Sequence, residues 1–273
     1  MTRAVDNFRQ DGFTLIELLV SLGIFLVITG AAFTLLGSSQ QHYQVETQVL
    51  SSFQEARLGL DQIVRDVNDA GYPPPSFNSG DPTLFAISPF AWSAGAGYFG
   101  APCQIGTAGG GTCTTAAGDT APGDFDLIIE TNPNPQDPSC PPAPCPVQWI
   151  RYQLQVPPLV QVPTLMRGMT PKTPGAEPDA ATSGVLVPFV QNVVNNPAQP
   201  IFSYTCDNPP LPQFPPPPTI SCTSPLAGAS NAPANIRDVI ITLIVAAPLP
   251  DARTGQPRLV QLVGRGRRIN PNL

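Results

Sequence analysis

Asp11-Gly12-Phe13-Thr14-Leu15-Ile16-Glu17-Leu18-Leu19-Val20 opens an apolar run that continues to Leu36, and between Phe13 and Leu36 the one charged side chain is Glu17. At a helical rise of about 1.5 Å per residue, these roughly 24 residues span about 36 Å, enough to cross a bilayer. A carboxylate inside a membrane helix is costly and marks a functional position by default. Glu17 is therefore the residue that any reading of this segment has to explain.

Outward from that run the chain changes character twice. After Leu36 it turns polar without a helix breaker, and Val45, Val49, Phe53, Ala56, Leu60, Ile63, Val64 and Val67 recur at steps of three and four. That spacing predicts one apolar stripe on a helix continuous with the membrane segment. Gly71 is its C-cap candidate, and Pro73 to Pro75 forbid continuation. All 36 prolines lie beyond Tyr72, which predicts a rigid, loop-rich ectodomain over residues 71–273.

Within that ectodomain, strands are expected at Phe125 to Glu130, Gln148 to Val156, Thr164 to Arg167, Ile201 to Thr205, Val239 to Val245 and Arg258 to Val263. The second alternates, with Ile150, Tyr152, Leu154 and Val156 on one face, and reads as half-buried. Val239 to Val245 is apolar on both faces apart from Thr242, as a covered central strand should be. One long helix followed by such strands predicts an α+β fold, with the helix packed on an antiparallel sheet.

Charge and cysteine content narrow the setting. The net charge is −6 and only 12% of residues are charged, which argues against a nucleic-acid binder. Six cysteines, at 103, 113, 140, 145, 206 and 222, all follow the membrane segment. Their number and local spacing suggest disulfides, Cys103 with Cys113, Cys140 with Cys145 and Cys206 with Cys222, in an oxidising compartment, although six cysteines allow 15 connectivities.

Two readings compete for the amino terminus. The small residues Gly30-Ala31-Ala32 fit an ordinary secretory signal cleaved before Phe33. Against it stand Glu17 inside the apolar region and the hydrophobicity beyond the cleavage point. Gly12-Phe13-Thr14-Leu15-Ile16-Glu17 instead resembles the type III signal of type IV pilins and pseudopilins: a short leader ending in Gly, then Phe, then Glu as the fifth mature residue. The resemblance implies cleavage between Gly12 and Phe13 by a prepilin peptidase, N-methylation of Phe13, and retention of the helix as inner-membrane anchor and later filament core.

It also implies a role for Glu17 as the partner of a neighbouring subunit's methylated amino terminus, a pair little screened in an apolar filament core. The bland alternative is a carboxylate reaching the headgroup boundary. Arg65-Asp66 followed by Ala70-Gly71-Tyr72, and the order Trp149-Ile150-Arg151-Tyr152, Leu165-Met166-Arg167, Phe202-Ser203-Tyr204, Ile236-Arg237-Asp238-Val239, resembles the PilW family of minor pilins and the pseudopilin J family. The likeness covers the N-terminal third well and the sheet loosely. Without it, Asp61 and Arg65 read as an ion pair on a solvated face.

The expected organisation is a leader at 1–12, a transmembrane and filament-core helix at 13–36, its amphipathic continuation at 37–70, and the ectodomain at 71–273. Other features carry less. His42 is the only histidine and sits on the helix, leaving no base for a nucleophile, so no catalytic residues, metal or cofactor are expected. Asp124 and Asp126 are a weak Ca²⁺ pair. Gly109 to Thr112 lacks the Lys of a phosphate loop, and Pro215 to Pro218 reads as a stiff spacer. Gly264-Arg265-Gly266-Arg267-Arg268 reads as a solvated strand end.

The function expected is that of a minor pilin that initiates or caps a type IV pilus, its partners being other minor and major pilins. The alternatives are a type II secretion pseudopilin, or a pilus-tip module for adhesion or DNA uptake. The ectodomain is expected in the periplasm before assembly and on the filament afterwards.

Overall fold

The computed structural model describes residues 13–76, 80–86, 89–91, 123–132, 134, 145–173, 175–176, 178–206, 220–221, 236–251 and 254–269. The leader at 1–12, the Gly109 to Thr112 loop and the Pro215 to Pro218 tract lie outside them. Helix α1 runs Leu15–Asn68, 54 residues without a break. It is followed by β1 (Phe90–Ala91), β2 (Asp126–Thr131), β3 (Gln148–Gln155), β4 (Thr164–Pro171), α2 (Pro178–Ser183), β5 (Val187–Gln191), β6 (Phe202–Cys206), β7 (Ile220–Ser221), β8 (Ile236–Pro250) and β9 (Pro257–Arg267). The architecture is α+β, with a long N-terminal helix and an antiparallel β ectodomain.

Among the described residues the named strands form two sheets, where the apolar pattern alone pointed to one. A five-stranded sheet has the order β1-β2-β3-β4-β5, and a four-stranded sheet the order β7-β6-β8-β9. Every named pair is antiparallel. Strand β3 is buried along both faces rather than one. Its core face carries Ile150, Tyr152 and Leu154, while Trp149 joins a smaller cluster with Ala91 and Ile128 on the other.

Helix α1 enters the core at Ala56. From there Ala56, Leu60, Ile63, Val67 and Ala70 are buried against Leu127, Ile129, Tyr152, Val190, Val239, Ile241 and Leu243. The helix ends at its C-cap Asp69, slightly before the expected boundary, and Gly71 follows at φ +83°, a conformation that costs a glycine little. The carbonyls at the helix end, which need partners, find them in β2 and in the segment just after β9. Thr131 Oγ1 donates to the Asp69 carbonyl at 2.6 Å, and Ile269 N–H to that of Asn68 at 3.3 Å.

Gly264 and Gly266, one strand period apart, form the seat on which the helix lies. A Cβ at Gly264 would stand 2.8 Å from Leu60 Cδ1, and one at Gly266 would collide with the Val67 side chain. Glycines at alternate positions of a strand let another backbone approach closely. The segment is thus a packing surface as well as a basic strand end. Gly266→Ala should cost about 1–3 kcal/mol through overpacking, lowering the thermal midpoint by roughly 2–4 °C per kcal/mol; Gln261→Ala on the opposite face should leave it unchanged. Equal melting of Gly266→Ala and wild type would remove the seat.

Candidate assembly site

The first turn of α1 organises itself around Thr14 and Glu17. Thr14 is the N-cap, with extended backbone at φ −78° and ψ 148°. Its Oγ1 accepts from Glu17 N–H at 3.3 Å and donates to Glu17 Oε2 at 2.8 Å, while Thr14 N–H donates to the same carboxylate oxygen at 3.0 Å. This is a reciprocal capping box, which satisfies donors that the helix start leaves open and sets a negative charge at the positive end of the helix dipole. Sequence reasoning missed this role, although Thr14-Leu15-Ile16-Glu17 has the S/T-x-x-E/Q spacing that signals it.

Around the box lies an exposed apolar surface that no described residue of the ectodomain covers. Phe13 is 90% exposed, and Leu15, Ile16, Leu18, Leu19, Leu22, Phe25 and Leu26 are all exposed. By length and composition α1 contains a candidate membrane span. The chain thus presents one long apolar cylinder with a single carboxylate four residues after Phe13. Gly12, the expected residue before the cleavage point, lies outside the described residues.

At the other end, a buried polar cluster ties α1 to the five-stranded sheet. Asp66 accepts from Tyr152 Oη at 2.5 Å, from Arg167 Nη2 at 3.1 Å and from Gln62 Nε2 at 2.8 Å. Arg167 Nε also donates to Tyr152 Oη at 3.0 Å. Burial, and then the Asp66 charge, push the Tyr152 phenol well above its ordinary value, so it stays a neutral donor. Asp66 is therefore a buried anchor and not part of a solvated face. Its spacing from Ile63 and Ala70 placed it on the apolar stripe all along.

A second polar group lies on the far face of that sheet. Arg151 donates to both oxygens of Asp126, at 2.9 and 2.7 Å, and to the Asp179 carbonyl of α2 at 2.8 Å; Lys172 pairs with Glu130. This engagement removes Asp126 from the Ca²⁺ reading. Among the described residues no group of three or more His, Cys, Asp or Glu is arranged to hold a metal, and His42 stands exposed on α1.

The cysteine expectations fall largely outside the described residues, which exclude Cys103, Cys113, Cys140 and Cys222. Cys145 is buried, its carbonyl accepting from Asn132 Nδ2 at 3.1 Å, and the backbone of Cys206 closes β6 opposite Ile220.

No curated protein and no solved structure matches the chain. Residues 7–33 match a family model described as the prokaryotic N-terminal methylation motif, a window that contains Gly12, Phe13, the Thr14 and Glu17 box and most of the exposed apolar helix. The chain therefore carries a type IV pilin-like prepilin signal, set on a long helix that leads into an antiparallel β ectodomain.

Proposed function

We propose that this protein is a minor pilin resembling the PilW family, a structural subunit that initiates or caps a type IV pilus. One observation carries the reading: the apolar half of α1 is exposed along its length, is continuous with the helix on which the ectodomain folds, and bears one carboxylate at the fifth position from Phe13. Such a helix serves first as a membrane anchor and then as a packing element among other pilin helices. A large ectodomain on each helix suits a rare subunit, since repetition along a tight fibre would crowd. The role is non-enzymatic and needs no cofactor.

In this reading a prepilin peptidase cleaves between Gly12 and Phe13, Phe13 is N-methylated, and the ectodomain waits in the periplasm on the inner membrane until the subunit joins the filament. The pseudopilin of a type II secretion system shares all of this geometry. Intact-mass analysis of the protein from cells with an active peptidase should give a chain that begins at N-methylated Phe13. A chain that begins at Phe33, or that retains Met1, overturns the proposal. Loss of filaments on deletion assigns the pilus; intact filaments with lost adhesion or DNA uptake assign a tip module instead.

A further inference from the structure

Among the described residues strand β9 is the long edge strand of the four-stranded sheet, with no strand paired on its outer side. In an antiparallel ladder alternate residues turn their N–H and C=O to opposite sides. Arg268 N–H donates to the Arg237 carbonyl on the β8 side, whereas Arg267 N–H donates to Asn68 Oδ1 at 2.8 Å, away from β8. The register is regular from Leu259 to Arg267, so Leu259, Gln261, Val263 and Arg265 also direct their backbone groups outward. Among the described residues nothing covers these groups.

Both ends of this opening are closed. Pro257 has no N–H to offer, and Asn68 occupies that of Arg267. Natural edges are commonly blunted by proline, charge or a covering element, and β9 is blunted at its ends but not in its middle. There two apolar side chains, Leu259 and Val263, are 60% and 61% exposed. Arg265 and Arg267 follow on the same face, around the single carboxylate of Asp238, in a chain whose net charge is −6.

A second copy fits this edge poorly. Helix α1 and β9 run in the same direction, with Leu60 beside Gly264, Val67 beside Gly266 and Asn68 beside Arg267. Antiparallel self-pairing would set two α1 helices head to tail, which chains anchored in one membrane cannot do; this step rests on the anchored reading above. We propose that the edge from Leu259 to Arg265 binds an extended strand of a different subunit by β-augmentation. That strand carries apolar side chains opposite Leu259 and Val263 and a carboxylate opposite Arg265.

The test titrates a fluorescent, end-blocked peptide, Glu-Thr-Val-Thr-Thr-Thr-Val, onto the full chain in detergent micelles. Saturable binding is expected. Val263→Pro removes an outward N–H and spares the β8 ladder, and should weaken binding about fivefold or more. N-methylation of the peptide amides that face β9 should do the same on the wild-type chain, which keeps the test valid should the proline variant misfold. Absence of saturable binding, or equal binding by Val263→Pro and by the N-methylated peptide, overturns the proposal. So does sedimentation of the chain as a dimer that Val263→Pro dissociates, which would assign the edge to a second copy. The titration needs no processing or filament, so its outcome is separate from that of the mass analysis.

Discussion

Asp66→Ala should destabilise the ectodomain by about 3 kcal/mol, the cost of breaking a largely buried charged cluster from one side. The carboxylate is the acceptor on which Tyr152, Arg167 and Gln62 converge. Its removal leaves the guanidinium of Arg167 without a counter-charge and the Tyr152 hydroxyl without an acceptor. The Arg167 side chain keeps 23% exposure, which lets water recover part of the loss and holds the figure near the lower end of the range for buried pairs. Tyr152→Phe removes one hydrogen bond and should cost about 1 kcal/mol. The double variant should lose less than the sum, since both changes act on one cluster. Urea denaturation of the full chain in detergent measures all three, with Asp61→Ala on the exposed face as a near-neutral reference. Additive losses would mean that Tyr152 and Asp66 act independently.

The cluster matters beyond stability because it lies where the long helix meets the sheet. Within the last turn of the helix and its cap, Asp66, Asn68 and Asp69 contact β3, β4, β9 and the end of β2. A pull along α1 is thereby transmitted to both sheets through directed bonds as well as through apolar packing. That is what a subunit drawn out of a membrane by its helix would require.

Much of this was legible in the residue order. The steps of three and four from Val45 to Val67 predicted the helix; Asp66 falls among Ile63, Val67 and Ala70 on the buried side, but its burial was not read from that spacing because a carboxylate is ordinarily solvated. The major strands were readable from their β-branched runs. Strand β5 was not, because Pro188 interrupts its pattern, and its edge position is what tolerates the proline. The division into two sheets was also hidden, since strand order depends on long-range pairings such as Phe202 with Ile241 that no local pattern encodes. Gly264 and Gly266 read as part of a solvated strand end because the side chains that press on them, Leu60, Val64 and Val67, lie about 200 residues earlier in the chain.

Glu17→Ala should leave the chain anchored and its ectodomain folded, yet reduce its incorporation into filaments by about tenfold or more. The anchor survives because removing a carboxylate makes the apolar segment more favourable in lipid. The ectodomain survives because its core begins at Ala56, far along the helix. What changes is the first turn, where Glu17 serves both the capping box seen here and, in the proposed filament, the methylated amino terminus of a neighbour. Two variants separate these roles. Glu17→Gln retains a capping-box side chain and loses the charge, whereas Thr14→Ala loses the box and retains the carboxylate. If the ion pair governs assembly, Glu17→Gln falls as far as Glu17→Ala and Thr14→Ala incorporates nearly as wild type; immunoblots of sheared filaments against membranes give the ratio. If Glu17→Gln assembles normally and Thr14→Ala does not, the carboxylate acts by shaping the helix start. The inter-subunit charge pair is then wrong.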